Sequence, residues 1–244
     1  RVEGFARALQ RRGHTITILC VANREKWRVR DRDDRGIRFI EAPDLWWGKL
    51  RSGWDLWCAR HNRRILRTLD YDLIHTFETR PATIHPVLNE LRRKPAPLVI
   101  DWTDWWGRGG LITENRPRWY QFLFTGIETY YEEHYRTRAD ASTVIARPLG
   151  ERAQRLGVPA DTIFWVPNGC RPEAAPVVAP ATHRARFGLP ADRFIVCASA
   201  LDVKIGLDLA VEAIGAAAQQ RKDVLLMLTG SAADALAARA RAQG

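Results

Sequence analysis

Apolar side chains at Val2, Phe5, Ala6 and Leu9 recur every three or four residues, which predicts an amphipathic helix over 2–12. Gly13 stops it, and the β-branched run 14–20 (His-Thr-Ile-Thr-Ile-Leu-Cys) predicts a strand. The same reading predicts strands at 37–40, 71–75, 97–101, 141–145 and 162–166. Helices are predicted at 56–69, about 81–93, 118–137 and 150–156. Strands separated by helical stretches argue for an α/β fold, a parallel sheet covered by helices. Such a sheet places ligands at the carboxyl ends of its strands. Four polar residues fall at those ends: His75, Glu78, Asp101 and Asp104.

From Asn168 to about Thr182 the periodicity lapses into Asn-Gly-Cys-Arg-Pro-Glu-Ala-Ala-Pro-Val-Val-Ala-Pro-Ala-Thr, the composition of a linker. A second series follows: strand 194–199, helix 206–218, strand 224–229 and helix 232–242. The expected organisation is a domain over 1–170, a linker over 171–183 and the opening of a second domain over 184–244. The sequence starts inside helical text without an initiator Met and ends in Ala-rich helical text, so it reads as a piece cut at both ends.

Composition narrows the partners. Of 244 residues 46% are hydrophobic, which predicts a packed core rather than disorder. No apolar run approaches the ~20 residues that span a bilayer. Four cysteines, Cys20, Cys58, Cys170 and Cys197, lack metal-ligand spacing. Cys20 and Cys197 stand in strand text, where a buried free thiol is the usual outcome and a reducing compartment is implied. A net charge of +10 attracts phosphates, whether of nucleic acid, lipid headgroups or a phosphorylated substrate.

The order of parts resembles glycosyltransferase family 4. The stretch 5–19 (Phe-Ala-Arg-Ala-Leu-Gln-Arg-Arg-Gly-His-Thr-Ile-Thr-Ile-Leu) is similar to that family's first helix and second strand. Asp72-Leu-Ile-His75 resembles its Asp-x-x-His strand end. Residues 139–158 are similar to its alanine-aspartate, strand, helix, glycine segment, and Val166-Pro-Asn-Gly169 to its Pro-Asn-Gly turn before the linker. Gly206-Leu-Asp-Leu-Ala-Val-Glu-Ala213 and 226–230 resemble the start of its nucleotide-binding domain. The resemblance implies a GT-B architecture of two Rossmann-like domains, the second incomplete here. It also implies a retaining, metal-independent transferase with a nucleotide-diphosphate sugar as donor and no cofactor. A glycine-rich loop and first strand are expected before Arg1, and two donor-binding glutamates beyond Gly244, so residues 1–244 alone are expected to be inactive.

Two departures from the family stand out. Where it has Gly-Arg-Leu this chain reads Ser199-Ala-Leu201, and where it has Lys-Gly this chain reads Ile205-Gly206. Both diphosphate-facing cations are missing at those positions, and Lys204 is the nearest substitute, an ammonium on a flexible stem. Donor contacts are therefore expected from Ser199, Lys204, Gly206 and the turn Asn168-Gly169. A turn opening a helix suits a pyrophosphate through backbone N–H groups and the helix dipole.

Catalytic candidates are Asp104 and Asp101, with His75 nearby. The stretch 101–110 (Asp-Trp-Thr-Asp-Trp-Trp-Gly-Arg-Gly-Gly) follows a strand, and Thr103-Asp104 occupies the place of the family's His-Asp pair. A carboxylate there would orient the acceptor hydroxyl or stabilise positive charge developing on the sugar. Equally, Asp101 caps a turn and His75 is a hydrogen-bonded, half-buried side chain. Residues 45–67 mix four Trp with six Lys/Arg, the composition of a helix at an anionic bilayer. Trp46, Trp47, Trp54, Arg63 and Arg64 are the expected contacts, the alternatives being nucleic acid or inward packing of Trp54 and Trp57. The reading is a cytoplasmic transferase, peripheral on the inner membrane face, moving sugar to a glycan or lipid-linked acceptor without nucleic acid. The alternatives are a sugar-nucleotide epimerase and a non-catalytic binding protein.

Overall fold

The computed structural model describes residues 1–22, 27–44, 53–169, 179–199, 207–230 and 238. The chain divides into two compact units, 1–170 and 171–244. In the first unit the elements are α1 (Val2–Gln10), β1 (Ile16–Val21), β2 (Arg30–Asp34), β3 (Ile37–Ala42), α2 (Leu56–Leu66), β4 (Ile74–Thr76), α3 (Pro81–Arg93), β5 (Leu98–Trp102), α4 (Leu111–Asn115), α5 (Arg118–Arg136), β6 (Ala141–Val144), α6 (Arg147–Arg155) and β7 (Ile163–Trp165). In the second they are α7 (Pro180–Arg186), β8 (Phe194–Ser199), α8 (Leu207–Gln220) and β9 (Val224–Thr229).

Four strands form a parallel sheet in the order β4-β5-β6-β7. A three-stranded sheet, β1-β3-β2, has β1 and β3 parallel and β2 antiparallel. The strand β2 has no apolar residue, which is why periodicity misses it. Cross-strand charges hold it instead: Arg38 pairs with Asp31 at 2.6 Å and Arg32 with Glu41 at 3.2 Å. A two-residue turn joins it to β3, with Arg35 at φ 54° and Gly36 at φ 80°, the left-handed geometry that suits hairpin twist.

Leu66, Ile84, Val87, Leu98 and Ile100 make one core under α2 and α3. Trp102, Val144, Leu149, Ala153 and Val158 make another under α6. Pro86 sits inside α3 and cannot donate to the Ala82 carbonyl one turn back. Buried Asn62 of α2 supplies that bond, Nδ2 to Ala82 O at 2.7 Å. In the second unit β8 and β9 pair in parallel. The helix α7 starts within the expected linker, and of the helix expected over 232–242 only residue 238 is described.

The cysteine reading needs correcting. Cys197 is exposed and Cys20 half-buried, while the buried thiol is Cys58, which burial pushes up to about 12. Cys170 lies outside the described residues. Cys58 Sγ sits among Asn62, Asp55 and Asp44, and those two carboxyls are a notable pair.

Asp44 and Asp55 are both buried, and their carboxyls interact. Asp55 caps α2, its Oδ1 accepting from Cys58 N at 2.6 Å, and Asp44 Oδ2 accepts from Gly53 N at 3.0 Å. Burial, then the Asp44 carboxyl, pushes Asp55 up to about 6. A raised carboxyl contributes stability that is full below its unfolded value and is lost as pH rises through about 6. Asp55→Asn keeps the cap oxygen and imitates the protonated form. Its melting temperature should match wild type near pH 4.5 and exceed it by roughly 2–4 °C at pH 8. A constant difference in melting temperature across that range would refute the raised Asp55 value.

Candidate active site

The alternation of β5 puts Leu98, Ile100 and Trp102 on one face and turns Asp101 to the other. There the fully buried Asp101 carboxylate is surrounded by donors. Arg1 grips it with two bonds, Nε to Oδ2 and Nη2 to Oδ1, both 2.7 Å. Thr103 Oγ1 donates at 2.6 Å, and Thr143 Oγ1 also donates. Burial pushes this carboxyl up, but the bonds from Arg1, Thr103 and Thr143 outweigh it and hold the group below its ordinary value. It stays ionised.

The arrangement continues in both directions. Arg1 Nη1 reaches Val166 O at 2.8 Å and Asn168 Oδ1 at 3.1 Å. On the other side Thr143 Oγ1 lies 3.3 Å from His75 Nε2. The single hydroxyl proton of Thr143 goes to Asp101, so its oxygen accepts from His75 and the imidazole carries its proton on Nε2. His75 stacks on Phe77 at 4.4 Å between ring centroids, and Phe5 meets both rings edge-on. Burial lowers the His75 value despite the Asp101 charge, with Arg1 reinforcing the fall. A neutral imidazole results. The chain Asn168–Arg1–Asp101–Thr143–His75 thus joins β4, β5 and β6, the turn after β7 and the start of α1.

The loop after β5 rests on α5. Glu132 is buried between Arg152 Nη1 at 2.8 Å and Arg136 Nη1 at 3.3 Å, and its other oxygen accepts from Gly107 N. Arg108 N donates to Thr129 Oγ1 at 2.9 Å, and Arg136 Nη1 to the Asp104 carbonyl at 2.8 Å. The Arg152 guanidinium lies 4.5 Å over the Trp105 ring. A Cβ at Gly110 would stand 2.2 Å from the Trp105 carbonyl, so that position admits only glycine. Burial lowers the Arg136 value against the pull of Glu132 and Glu78. Arg136 Nε has no partner among the described residues and borders a recess of about 10 Å³ whose walls include Trp54, Glu78, Arg80 and Trp106.

The two expected carboxylates therefore differ sharply. Asp101 is saturated by intramolecular donors. Asp104 is exposed, held in place through its backbone, and its carboxylate makes no bond among the described residues. Glu78 stands at the recess, 3.7 Å from Arg80. Asn168 binds Arg1, and Gly169 next to it is exposed. Ser199 ends β8, with nothing described of its side chain, and Lys204 and Gly206 lie outside the described residues, as do Trp46 and Trp47. Trp54 is half-buried, its ring 5.0 Å from that of Tyr131. Arg63 and Arg64 are exposed.

Sequence reasoning passed over Arg1, Thr143, Glu132, Arg136 and Arg152. The spacing 120, 124, 128, 132, 136 places Glu132 and Arg136 on the inner face of α5 with Tyr120. Two charges on the buried side of a helix were the signal available.

Among curated proteins no sequence matches this chain. Among solved structures, a glycosyltransferase from Rickettsia africae ESF-5 is similar, with TM-score 0.61 at 13% identity over 97% of this chain and 58% of that one. A trehalose-6-phosphate synthase, studied with bisubstrate glycomimetics for glycosyl transfer with retention, has TM-score 0.56 at 14% identity over 98% and 64%. The chain spans less than two thirds of either structure. Both likenesses give the fold, GT-B. The family itself comes from the sequence pattern described as Glycosyltransferase Family 4, which matches residues 1–174 and takes in every strand and helix of the first unit. This chain belongs to Glycosyltransferase Family 4.

Proposed function

We propose that the protein transfers a sugar, with retention and without a metal, from a nucleotide-diphosphate sugar to a hydroxyl of a glycan or lipid-linked acceptor, with the first unit holding the acceptor. The observation that carries this reading is the contrast at the end of β5. Asp101 is spent on fixing Arg1, Thr143 and His75, and that leaves Asp104 as a free carboxylate on a loop pinned from beneath. A fixed backbone with a free carboxylate suits a group that must meet a substrate hydroxyl or an oxocarbenium-like sugar. Donor diphosphate is assigned to Lys204 and the backbone at Gly206.

The test is sugar transfer by the full-length protein from UDP- and GDP-sugars, followed with wild type and Asp104→Ala. Loss of kcat by about 10²-fold or more with an unchanged melting temperature is expected. Retention of full activity would remove Asp104 from the mechanism.

A second reading is favoured by Ser199-Ala200 and Ile205, which stand where the family carries cations: a member that binds partners without catalysis. Calorimetric titration with UDP and GDP separates the two. Binding that weakens about tenfold in Lys204→Ala supports the enzyme. No binding by wild type supports the alternative.

A further inference from the structure

Helix α5 is built the opposite way round from an ordinary surface helix. Its inner face carries Tyr120, Glu132 and Arg136, all buried. Its outer face carries Trp119, Phe122, Leu123, Ile127 and Tyr130, all exposed, with Phe122 89% and Leu123 60% open to solvent. Positions 119, 122, 123, 126, 127 and 130 recur every three or four residues and so form one stripe along the helix. Monomeric soluble proteins seldom leave so continuous an apolar strip uncovered.

Cations flank the start of the stripe. Arg116 and Arg118 stand at its amino-terminal end. The only acid between them and Tyr130 is Glu128, which turns inward to accept from Tyr120 Oη at 3.0 Å. Gln121 also turns inward, to the carbonyls of Thr113 and Arg116. The start of α2 repeats the pattern. Leu56 is 82% exposed, Trp57 is exposed beside Trp27, and Arg60, Arg63, Arg64 and Arg67 project to solvent with no carboxylate in the helix. The two regions are tied together where Trp54, two residues before Leu56, meets Tyr131, the neighbour of Tyr130.

We infer that α5 and the start of α2 form a docking surface for an anionic lipid bilayer, with the stripe in the headgroup–acyl boundary and the arginines toward lipid phosphate. Interfacial helices combine these features, an aromatic and aliphatic face with cations beside it. A second copy is the poorer occupant, because each chain carries +10 and the exposed arginines of α2 and the start of α5 would face their own twins. The docking surface stands independently of the transfer chemistry, since lipid binding is read without donor or acceptor.

The experiment is flotation of the full-length protein with vesicles of phosphatidylcholine alone or mixed with phosphatidylglycerol. Wild type should float with the mixed vesicles and remain below with the neutral ones. The double variant Phe122→Glu/Leu123→Glu should lose at least about tenfold in partitioning. Arg63→Glu/Arg64→Glu should weaken it by a similar factor. Both pairs are exposed, so unchanged melting temperatures confirm that the variants are folded. The proposal is overturned by wild type that ignores anionic vesicles, or by a Phe122/Leu123 variant that floats as well as wild type. It is also overturned by gel filtration showing a wild-type dimer that this variant splits while neither floats, which would assign the stripe to a second copy.

Discussion

Replacing Glu132 with alanine should destabilise the first unit by about 4 kcal/mol, because it takes the shared carboxylate from two buried guanidiniums and leaves Arg152 with Glu133 as its one ion-pair partner among the described residues. The Arg136 and Arg152 side chains are 2% and 5% exposed, so water does not replace the lost carboxylate. Gly107 N loses its acceptor at the same time, and the loop carrying Asp104 loses a main anchor to α5. Arg136 alone, changed to alanine, should cost less, since Arg152 still neutralises Glu132. The double variant Glu132→Ala/Arg136→Ala should therefore cost clearly less than the two single losses added together. Urea unfolding measures all three. A loss below about 1 kcal/mol for Glu132→Ala would make this an ordinary surface-type pair and remove the physical basis for a pinned loop.

The same cluster shows how far the sequence could be read. The strands β1, β5, β8 and β9 and the helices α1, α3 and α5 follow from apolar periodicity, because burial of one face is what sets those elements. The strand β2 does not, since Arg30–Asp34 bury almost nothing and depend on partners in β3 that only the hairpin brings opposite. For the site, position at a strand end singled out His75, Asp101 and Asp104 together. It did not separate them, because the difference lies in long-range donors. Arg1 and Thr143 stand 100 and 42 residues from Asp101. Likewise α5 was legible as a helix, but which face points inward depended on Glu132 finding Arg152 in α6.

Asp101→Asn tests that separation from the other side. Asp101 accepts from Arg1 twice, from Thr103 and from Thr143, and it is fully buried. An amide keeps the shape, removes the charge and turns an NH₂ group toward at least one of these donors. The Arg1 guanidinium, with its side chain 10% exposed, loses its counter-charge and the two-oxygen grip, and keeps the Val166 carbonyl and the Asn168 side chain. Breaking a buried pair in this way costs about 3–5 kcal/mol, a fall in melting temperature on the order of 10 °C. His75 reports the same change separately. Burial depresses its value and the Asp101 charge partly offsets that, so in the variant the value should fall further. A histidine depressed on folding contributes stability that is full above its unfolded value and is lost as pH falls. The stability gap between wild type and Asp101→Asn should therefore widen from pH 7 to pH 5. NMR titration of the His75 ring, together with melting curves, measures both effects. Asp104→Ala, by contrast, should leave both unchanged and act on kcat alone. If Asp101→Asn keeps the wild-type melting temperature while transfer is lost, the roles reverse, and Asp101 is the carboxylate that meets the substrate.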